Sequence, residues 1–211
     1  MSTYVKERLN WRESMNGVTI DCSLVIAIHP KSSDTLLVTI PGVDGSLDGY
    51  EQKYVRMVEK YQEVYQVAAV RMENPFITSH HWESNIRHVF EYIANQAEDI
   101  TEGEKLTNIK VVAHSAGAAM IAKLAHEYPI ISDILLINPA QKLASASDVA
   151  TGLSSLKGKG RVVFGSLDPS VSMVEELKAS GVNVTIIDGA DHNFSGDFLE
   201  EFINLPLKHL A

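Results

Sequence analysis

The stretch Ile109–Gly117, which reads Ile-Lys-Val-Val-Ala-His-Ser-Ala-Gly, decides the fold of this chain. A short apolar run leads to Ser115 and passes at once into an alanine-rich segment typical of a helix. Ser115 is the only serine in the sequence that has Gly or Ala both two residues before it and two residues after it. A sharp strand-to-helix turn that exposes a serine hydroxyl needs small side chains at those positions, because larger ones would collide. The stretch therefore predicts a strand, a strained turn with Ser115 at its tip, and a helix.

The length and composition are those of one globular domain, which we expect to span residues 1–211. Apolar residues make up 45% of the chain and charged residues 21%, which is ordinary for a soluble protein with a buried core. The formal net charge of −9 disfavours nucleic acid as a partner, because a phosphate backbone attracts basic surfaces. It disfavours an anionic membrane surface for the same reason.

Cysteine usage and the apolar runs narrow the class further. Cys22 is the only cysteine, so an internal disulfide and a cysteine-based metal site are excluded. Residues 1–8 carry charges of both signs with no apolar block after them, unlike a secretory signal. The apolar runs are shorter than the ~20 residues that cross a bilayer. These features predict a cytoplasmic protein.

Apolar runs alternate with helix-like segments, a pattern typical of an α/β protein with a mostly parallel sheet. The start differs, because Val5–Arg12 and Val18–Ile28 flank Asn16-Gly17, which predicts an antiparallel hairpin. Further strands are predicted at Leu36–Ile40, Val64–Met72, Ile109–Ala113, Ile134–Ile137, Val162–Phe164 and Val182–Ile187. Helices are predicted at Tyr50–Tyr61, from about Ser79 to Gln96, and at Ala116–Glu127, Val171–Ser180 and Ser195–Ile203, with Gly181 and Ser195 as caps. The segment at about 140–159 reads as a short cap-like excursion that could hold a helix at Ala146–Leu153.

Chemistry-bearing side chains follow three of the predicted strands. In an open parallel sheet, sites lie beyond the carboxyl ends of the strands, and Ser115, Asp168 and His192 each come just after one. Serine needs a base within hydrogen-bonding reach to act as a nucleophile, and a neutral imidazole can serve. A carboxylate can in turn hold the tautomer of that imidazole and stabilise its cation. The three residues therefore form a candidate catalytic triad of nucleophile, acid and base.

Each of these residues also has a structural interpretation. Ser115 could be a helix N-cap, Asp168 an acidic loop residue before Pro169, and His192 a surface histidine. Asp191 is the nearest rival for the acid, ahead of Asp188 and Glu175.

Other histidines and glycines favour structural roles. His114 is expected to pack beneath the turn, with its side chain opposite that of Ser115. His80, His81 and His88 lack a nearby carboxylate that would complete a metal site. The glycines between residues 42 and 49 do not match a nucleotide-binding fingerprint. We therefore expect no metal and no organic cofactor.

At this point the sequence resembles the α/β-hydrolase superfamily over nearly its whole length. The shared parts are the hairpin, the small-x-Ser-x-small turn at residues 113–117, an acid at Asp168 within Gly-Ser-Leu-Asp-Pro, and a histidine at His192 within Asp-His-Asn-Phe. The resemblance implies a mostly parallel sheet with helices on both faces and a minimal cap. Two departures are Ala113 in place of the first elbow glycine, and Pro41-Gly42 where the family often has His-Gly.

The resemblance also implies how a developing oxyanion would be bound. The backbone N–H groups of Val43 and Ala116 are the expected donors, and they remain possible with Pro41 because they belong to the main chain. Candidate substrate-pocket residues are Gly42, Phe76, Trp82 and Asn138. Phe76 and Trp82, together with Ile77, could equally anchor the long helix to the sheet.

These residues predict a small serine hydrolase that acts on a small-molecule carboxylic ester or thioester through an acyl-enzyme. The short excursion predicts a rather open site. An acyltransferase with the same triad remains an alternative, as does a non-catalytic binding or scaffold protein on the same fold. The sequence leaves the acyl group, the leaving group and the oligomeric state open.

Overall fold

A computed structural model describes residues 4–76 and 81–210, with the exception of the His81 side chain. Within these residues the strands are β1 (Val5–Met15), β2 (Val18–His29), β3 (Thr35–Ile40), β4 (Ala68–Met72), β5 (Asn108–His114), β6 (Ile131–Ile137), β7 (Gly160–Gly165) and β8 (Asn183–Ile187). The α-helices are α1 (Lys53–Tyr65), α2 (His81–Asn95), α3 (Ala97–Ile100), α4 (Ser115–Leu124), α5 (Ala146–Ser154), α6 (Val174–Ala179) and α7 (Leu199–His209).

The described strands form one sheet in the order β1-β2-β4-β3-β5-β6-β7-β8. β1 and β2 are an antiparallel hairpin that turns at Asn16 and Gly17, and β2 pairs with β4 antiparallel. From β4 to β8 every pairing is parallel. The parallel strands therefore bring their carboxyl ends to one edge of the sheet, where Ser115, Asp168 and His192 follow β5, β7 and β8.

Helices cover both faces of the sheet, as predicted. α1 and α7 pack on one face, where Tyr54 and Phe202 join the buried cluster. α2, α4, α5 and α6 pack on the other, where Ile86 and Ala118 are fully buried. Burial of such side chains contributes about 25 cal/mol for each Å² of apolar surface removed from water.

The strand predicted at Val64–Met72 begins later, at Ala68, because helix α1 continues through Tyr65. Val64 is 58% exposed, so the apolar residues at the end of α1 do not belong to the sheet. The helix ends at Gln66, whose left-handed φ of 53° lets its N–H bond to the carbonyl of Gln62. The predicted start of α2 at Ser79 lies outside the described residues.

The predicted helix at Val171–Ser180 consists of a 3-10 segment, Pro169–Met173, followed by α6. Gly181 ends it as predicted, with φ at +79° and a bond from Val182 N–H to the carbonyl of Leu177. The capping role predicted for Ser195 is wrong, because its side chain makes no capping hydrogen bond. A 3-10 turn, Gly196–Phe198, precedes α7, which continues past Ile203 to His209.

The segment at about 140–159 is not cap-like. It contains α5, which begins with a capping box between Ser145 and Asp148 and packs directly against α4. Val149 and Leu153 of α5 are part of the buried core. The segment is therefore one of the covering helices of the sheet rather than a lid over its carboxyl edge.

Among the described residues, every helix is too short or too polar to span a lipid bilayer. The predictions of one domain and of a cytoplasmic location stay predictions.

Candidate active site

Ser115 lies at the tip of the turn between β5 and α4, as the sequence predicts. Its φ is +56°, a left-handed conformation that costs a non-glycine residue about 1–3 kcal/mol. A Cβ on Gly117 would lie 2.3 Å from the carbonyl oxygen of Pro41, so this position admits only glycine without a shift of the backbone. Ala113, the other small flanking residue, is fully buried in β5. The tight packing around the turn holds Ser115 in its strained conformation.

The loop after β8 brings His192 to Ser115. The Nε2 atom of His192 lies 2.9 Å from the Oγ of Ser115, a normal hydrogen-bond distance. The His192 side chain is 40% exposed, whereas Ser115 is 8% exposed. The His192 imidazole therefore lies between the nearly buried Ser115 hydroxyl and the solvent.

Asp168 contacts the other nitrogen of the same ring. Its Oδ2 bonds to His192 Nδ1, and its Oδ1 accepts a hydrogen bond of 2.6 Å from the backbone N–H of Ser170. The Asp168 side chain is fully buried. Burial opposes ionisation of this carboxyl, but the hydrogen bonds from His192 and Ser170 outweigh it and lower its pKa. The acid is therefore ionised at neutral pH and fixes a proton on Nδ1 of His192.

The three rival carboxylates are engaged elsewhere. Asp191 Oδ1 accepts hydrogen bonds from the backbone N–H groups of Asn193 and Ser195 at 3.0 and 2.9 Å. Asp188 accepts a bond from the Ser166 hydroxyl, and Glu175 pairs with Lys178 one turn along α6. Of these four carboxylates, the described contacts join only Asp168 to the His192 ring.

The expected oxyanion donors flank Ser115. Ala116 is the second residue of α4, where backbone N–H groups have no partner within the helix, and the helix dipole favours negative charge there. Gly42 packs against Ser115 so closely that an added Cβ would lie 3.0 Å from the serine Cβ. Val43, next along this loop, is 47% exposed. The donor roles of Val43 and Ala116 stay predictions.

A cavity of about 280 Å³ opens onto Ser115. Its wall includes Gly42, Val43, Tyr50, Lys53, Ser115 and His192. Asn138 was predicted to line the pocket, and this is wrong, because the residue is fully buried behind the site. Its side-chain oxygen accepts a bond from Gly165 N–H, and its side-chain nitrogen donates to the carbonyl of His192 at 3.0 Å.

Phe76 and Trp82 do not line this cavity. Their rings contact each other with centroids 5.3 Å apart. Trp82 is 7% exposed and joins the core beneath α2, which fits the anchoring interpretation, whereas Phe76 is half exposed. Ile77 lies outside the described residues.

Sequence reasoning missed several side chains that line the cavity, among them Tyr50, Lys53 and Tyr54, and it recognised only the packing role of His114. Lys53 and Tyr54, at the start of α1, line the cavity, yet neither follows a strand. His114 is buried, as predicted, but it also makes polar contacts with Tyr54 and with the His192 backbone. The one available signal was the position of His114 beside Ser115.

The described residues contain no group of three His, Cys, Asp or Glu side chains placed to hold a metal ion. His88 stacks on Trp11 at 4.4 Å and lies 3.5 Å from a carboxylate of Glu91. His80 and the side chain of His81 lie outside the described part of the chain.

Comparison with known proteins identifies the fold. No protein-family profile and no curated protein matches the sequence. Dienelactone hydrolase from Anabaena variabilis is similar in structure, with a TM-score of 0.70 at 15% identity, covering 97% of each chain. Carboxyl esterase 2 from Tuber melanosporum has a TM-score of 0.67 at 14% identity, covering 94% of this chain and 80% of its own.

S-formylglutathione hydrolase from Staphylococcus aureus is also similar, with a TM-score of 0.62 at 14% identity, covering 100% of this chain and 98% of its own. At these identities the likeness concerns the fold, and this chain has the α/β-hydrolase fold.

Proposed function

We propose that this protein is a serine hydrolase that cleaves a carboxylic ester or thioester through an acyl-enzyme intermediate. The observation that carries the proposal is the chain of hydrogen bonds from Asp168 through His192 to the strained Ser115. A nucleophile, a base and an orienting acid in contact is the arrangement by which serine is activated. The names of the structurally similar proteins, hydrolases and an esterase, also support it.

In the first half of the reaction, Ser115 Oγ attacks the carbonyl carbon of the substrate while Nε2 of His192 takes the hydroxyl proton. Asp168, which is ionised because its pKa is lowered, stabilises the resulting imidazolium. The C=O bond of the substrate becomes a C–O⁻ single bond in a tetrahedral intermediate. Collapse of this intermediate re-forms the carbonyl and breaks the bond to the leaving alcohol or thiol, which takes the proton back from His192.

In the second half, water repeats the sequence on the acyl-enzyme. His192 takes a proton from the water as its oxygen attacks the acyl carbon, and Ser115 Oγ then leaves and recovers that proton. Both tetrahedral intermediates place negative charge next to the N-terminus of α4. The backbone N–H groups of Ala116 and Val43 would stabilise that charge, and loss of one such donor typically costs about 3 kcal/mol of transition-state stabilisation.

The cavity supports a small substrate. Its volume of about 280 Å³ is at the low end of ligand pockets, and its described wall receives no residue from the segment at 140–159. A short acyl group or a small extended ester fits this space.

Turnover of a graded substrate series tests the proposal. The series pairs p-nitrophenyl esters with acyl thioesters of matched acyl chains from two to twelve carbons. We expect hydrolysis of the shorter members, with a burst of p-nitrophenol equal to the enzyme concentration wherever deacylation limits the rate. The Ser115→Ala variant should be folded and inactive. Ser154→Ala, which removes an exposed hydroxyl on α5 that bonds to the carbonyl of Thr151, is the matched control.

A folded wild-type protein that hydrolyses no member of the series, or a Ser115→Ala variant that keeps wild-type turnover, would contradict the proposal. The first outcome favours a binding or scaffold protein on the same fold. Recovery of the acyl group mainly on a small alcohol added at millimolar concentration, rather than as the free acid, favours an acyltransferase.

A further inference from the structure

Three side chains from different parts of the fold hold three consecutive backbone carbonyls around His192. The carbonyl of Asp191 accepts from Asn138 Nδ2 at 3.3 Å, and that of His192 accepts from the same nitrogen at 3.0 Å. The His192 carbonyl also lies 2.8 Å from His114 Nε2. The carbonyl of Asn193 accepts from Lys53 Nζ at 3.3 Å. The donors come from the end of β5, the end of β6 and the start of α1.

His114 is fixed as a donor by its own surroundings. Its contact with a carbonyl requires the proton on Nε2, which leaves Nδ1 to accept from the hydroxyl of Tyr54 at 3.5 Å. Burial, together with the nearby charges of Lys53 and His192, holds the pKa of His114 well below its ordinary value. The neutral form of the ring is therefore favoured, and its tautomer is set by the two contacts.

The Asn138 side chain is also fixed by its hydrogen bonds. It is fully buried, its φ of +45° lies in the left-handed region that asparagine tolerates better than most residues, and its oxygen accepts from Gly165 N–H at 2.9 Å. Gly165 ends β7, three residues before Asp168. One amide group therefore joins the end of the strand that precedes Asp168 to the loop that carries His192.

We infer that His114, Asn138 and Lys53 are positioning residues that hold the backbone at residues 191–193, so that the His192 ring stays in line between Asp168 and Ser115. The inference rests on the proposed function of the site. His114 contributes most, because it lies beside Ser115 in sequence and contacts the carbonyl of His192 itself. Its ring centroid is 5.1 Å from that of His192, so its ring contacts the His192 ring as well as the backbone of the loop.

A loop held at its carbonyls keeps the ring in place while its charge changes. When His192 takes the Ser115 proton it becomes a cation, and free rotation of the loop would let it leave for solvent. Displacements of about 1 Å at a reacting group can cost about 100-fold in rate. Loss of a positioning contact should therefore lower kcat. His114 and Lys53 also line the cavity, but each is only 4% exposed, so KM should change less than kcat.

The experiment compares His114→Phe with His114→Gln. Phenylalanine keeps the bulk of the ring but cannot donate, whereas the amide nitrogen of glutamine can donate to the same carbonyl. We expect His114→Phe to lower kcat about tenfold to 100-fold with KM within about twofold, and His114→Gln to recover at least half of the loss on a logarithmic scale. Tyr61→Phe is the matched control, because it removes a comparable buried bond, from Tyr61 Oη to the Leu210 carbonyl at 2.9 Å, and should leave kcat unchanged.

A second readout does not depend on turnover. In ¹⁵N-labelled protein, the ring proton that His192 shares with Asp168 should give a resolved downfield signal that disappears in Asp168→Asn. We expect this signal to shift or broaden in His114→Phe and in Lys53→Met, and to stay in place in Tyr61→Phe. If wild type turns over no substrate, the proposed function fails while the signal still tests the positioning.

An unchanged kcat and an unchanged His192 signal in folded His114→Phe would overturn the inference. A kcat loss in Tyr61→Phe equal to that in His114→Phe would do the same, since it would reveal a general effect of stability. If His114→Phe does not fold, Lys53→Met is tested in its place. A smaller fall in kcat, together with the same shift of the His192 ring-proton signal, would support the inference.

Discussion

Asp168 shows how an environment selects one carboxylate among several for a site. Its neighbour in function, His192, has Asp191 directly before it in the sequence, yet the side chain of Asp191 turns back to cap its own loop. Adjacent residues on a tight loop point in different directions, so a carboxylate from another strand end reaches the ring instead. The carboxylate that contacts the His192 ring is therefore better predicted from its position after a strand than from its distance along the chain.

Replacing Asp168 with asparagine tests this assignment. The amide keeps the shape of the side chain, but it can donate to Nδ1 and so favour the wrong tautomer of His192. We expect Asp168→Asn to fold and to lose kcat on the order of 10⁴-fold, as in other triads. Steady-state kinetics on the best ester substrate measures it, with Asp191→Asn and Asp188→Asn as controls. Near-wild-type turnover in Asp168→Asn, with a large loss in Asp191→Asn, would transfer the role to Asp191.

The lowered pKa of Asp168 also gives a pH dependence of stability. A carboxyl whose pKa is lower in the folded state stabilises the fold above its unfolded pKa, which is 3.8 for Asp168. That contribution is lost as the pH falls through the folded-state pKa. Urea unfolding between pH 7 and pH 3 should therefore show the gap in unfolding free energy between wild type and Asp168→Asn narrowing on acidification. A gap that stays constant or widens would show that the carboxylate does not stabilise the fold.

At the scale of elements, the contact between α4 and α5 depends on a single glycine. A Cβ on Gly152 would lie 1.8 Å from the carbonyl oxygen of Ala122, so the two helices touch backbone to backbone. The sequence around α5 is rich in Ala, Ser and Gly and predicts a loose excursion, because small residues give a weak hydrophobic pattern. Those same small residues permit the close approach, which composition alone does not reveal.

Substituting Gly152 by alanine separates packing from helix propensity. In an unconstrained helix interior this change stabilises by about 1 kcal/mol. Here the added methyl group must push α5 away from α4, and overpacking of this kind typically costs about 1–3 kcal/mol. We expect a net loss in the free energy of unfolding, measured by urea titration. Thr151→Ala, on the exposed side of the same helix, should be neutral or slightly stabilising, and a stabilised Gly152→Ala would contradict the packing observed here.

For the molecule as a whole, one buried cation joins both helices of one face to the site. Lys53 is 4% exposed, and its ammonium lies 4.2 Å from the centroid of the Phe202 ring on α7. Burial lowers the pKa of Lys53 from 10.5 to about 8, and the charge of Asp191 offsets part of this. Folding therefore disfavours the charged form of Lys53. The aliphatic part of its side chain and its hydrogen bond to the Asn193 carbonyl nevertheless hold α1 against the His192 loop.

The pH dependence of global stability follows from this lysine. Between pH 8 and 10.5 the unfolded chain binds a proton at Lys53 that the folded protein lacks, so stability rises with pH across this window. Relative to Lys53→Met, wild type should gain up to about 3 kcal/mol from pH 8 to pH 10.5. Chemical denaturation at half-unit pH steps measures the difference. Lys60→Met, on the same helix, is the control. If the unfolding free energy of wild type rises with pH as much relative to Lys60→Met as it does relative to Lys53→Met, the effect does not belong to Lys53.

The strands along the chain and the positions of three residues after them could be predicted, because apolar periodicity and the strand-end rule are local in sequence. The order of the strands in the sheet was not predicted. The contacts of His114, Lys53 and Asn138 could not be predicted, because each joins segments at least 50 residues apart. Their partners are backbone carbonyls, which every residue has and which no sequence pattern marks. The sequence therefore indicates the candidate reacting groups better than it indicates the residues that position them.

The central claim, that Ser115 is an activated nucleophile, is tested most directly by a fluorophosphonate probe followed by peptide mapping. The probe forms a covalent bond only with a serine whose hydroxyl is activated by its surroundings. The account predicts one adduct for each chain, located on Ser115, abolished in folded Ser115→Ala and in heat-denatured wild type. Absence of labelling in folded wild-type protein, or an adduct that persists in Ser115→Ala, would contradict it.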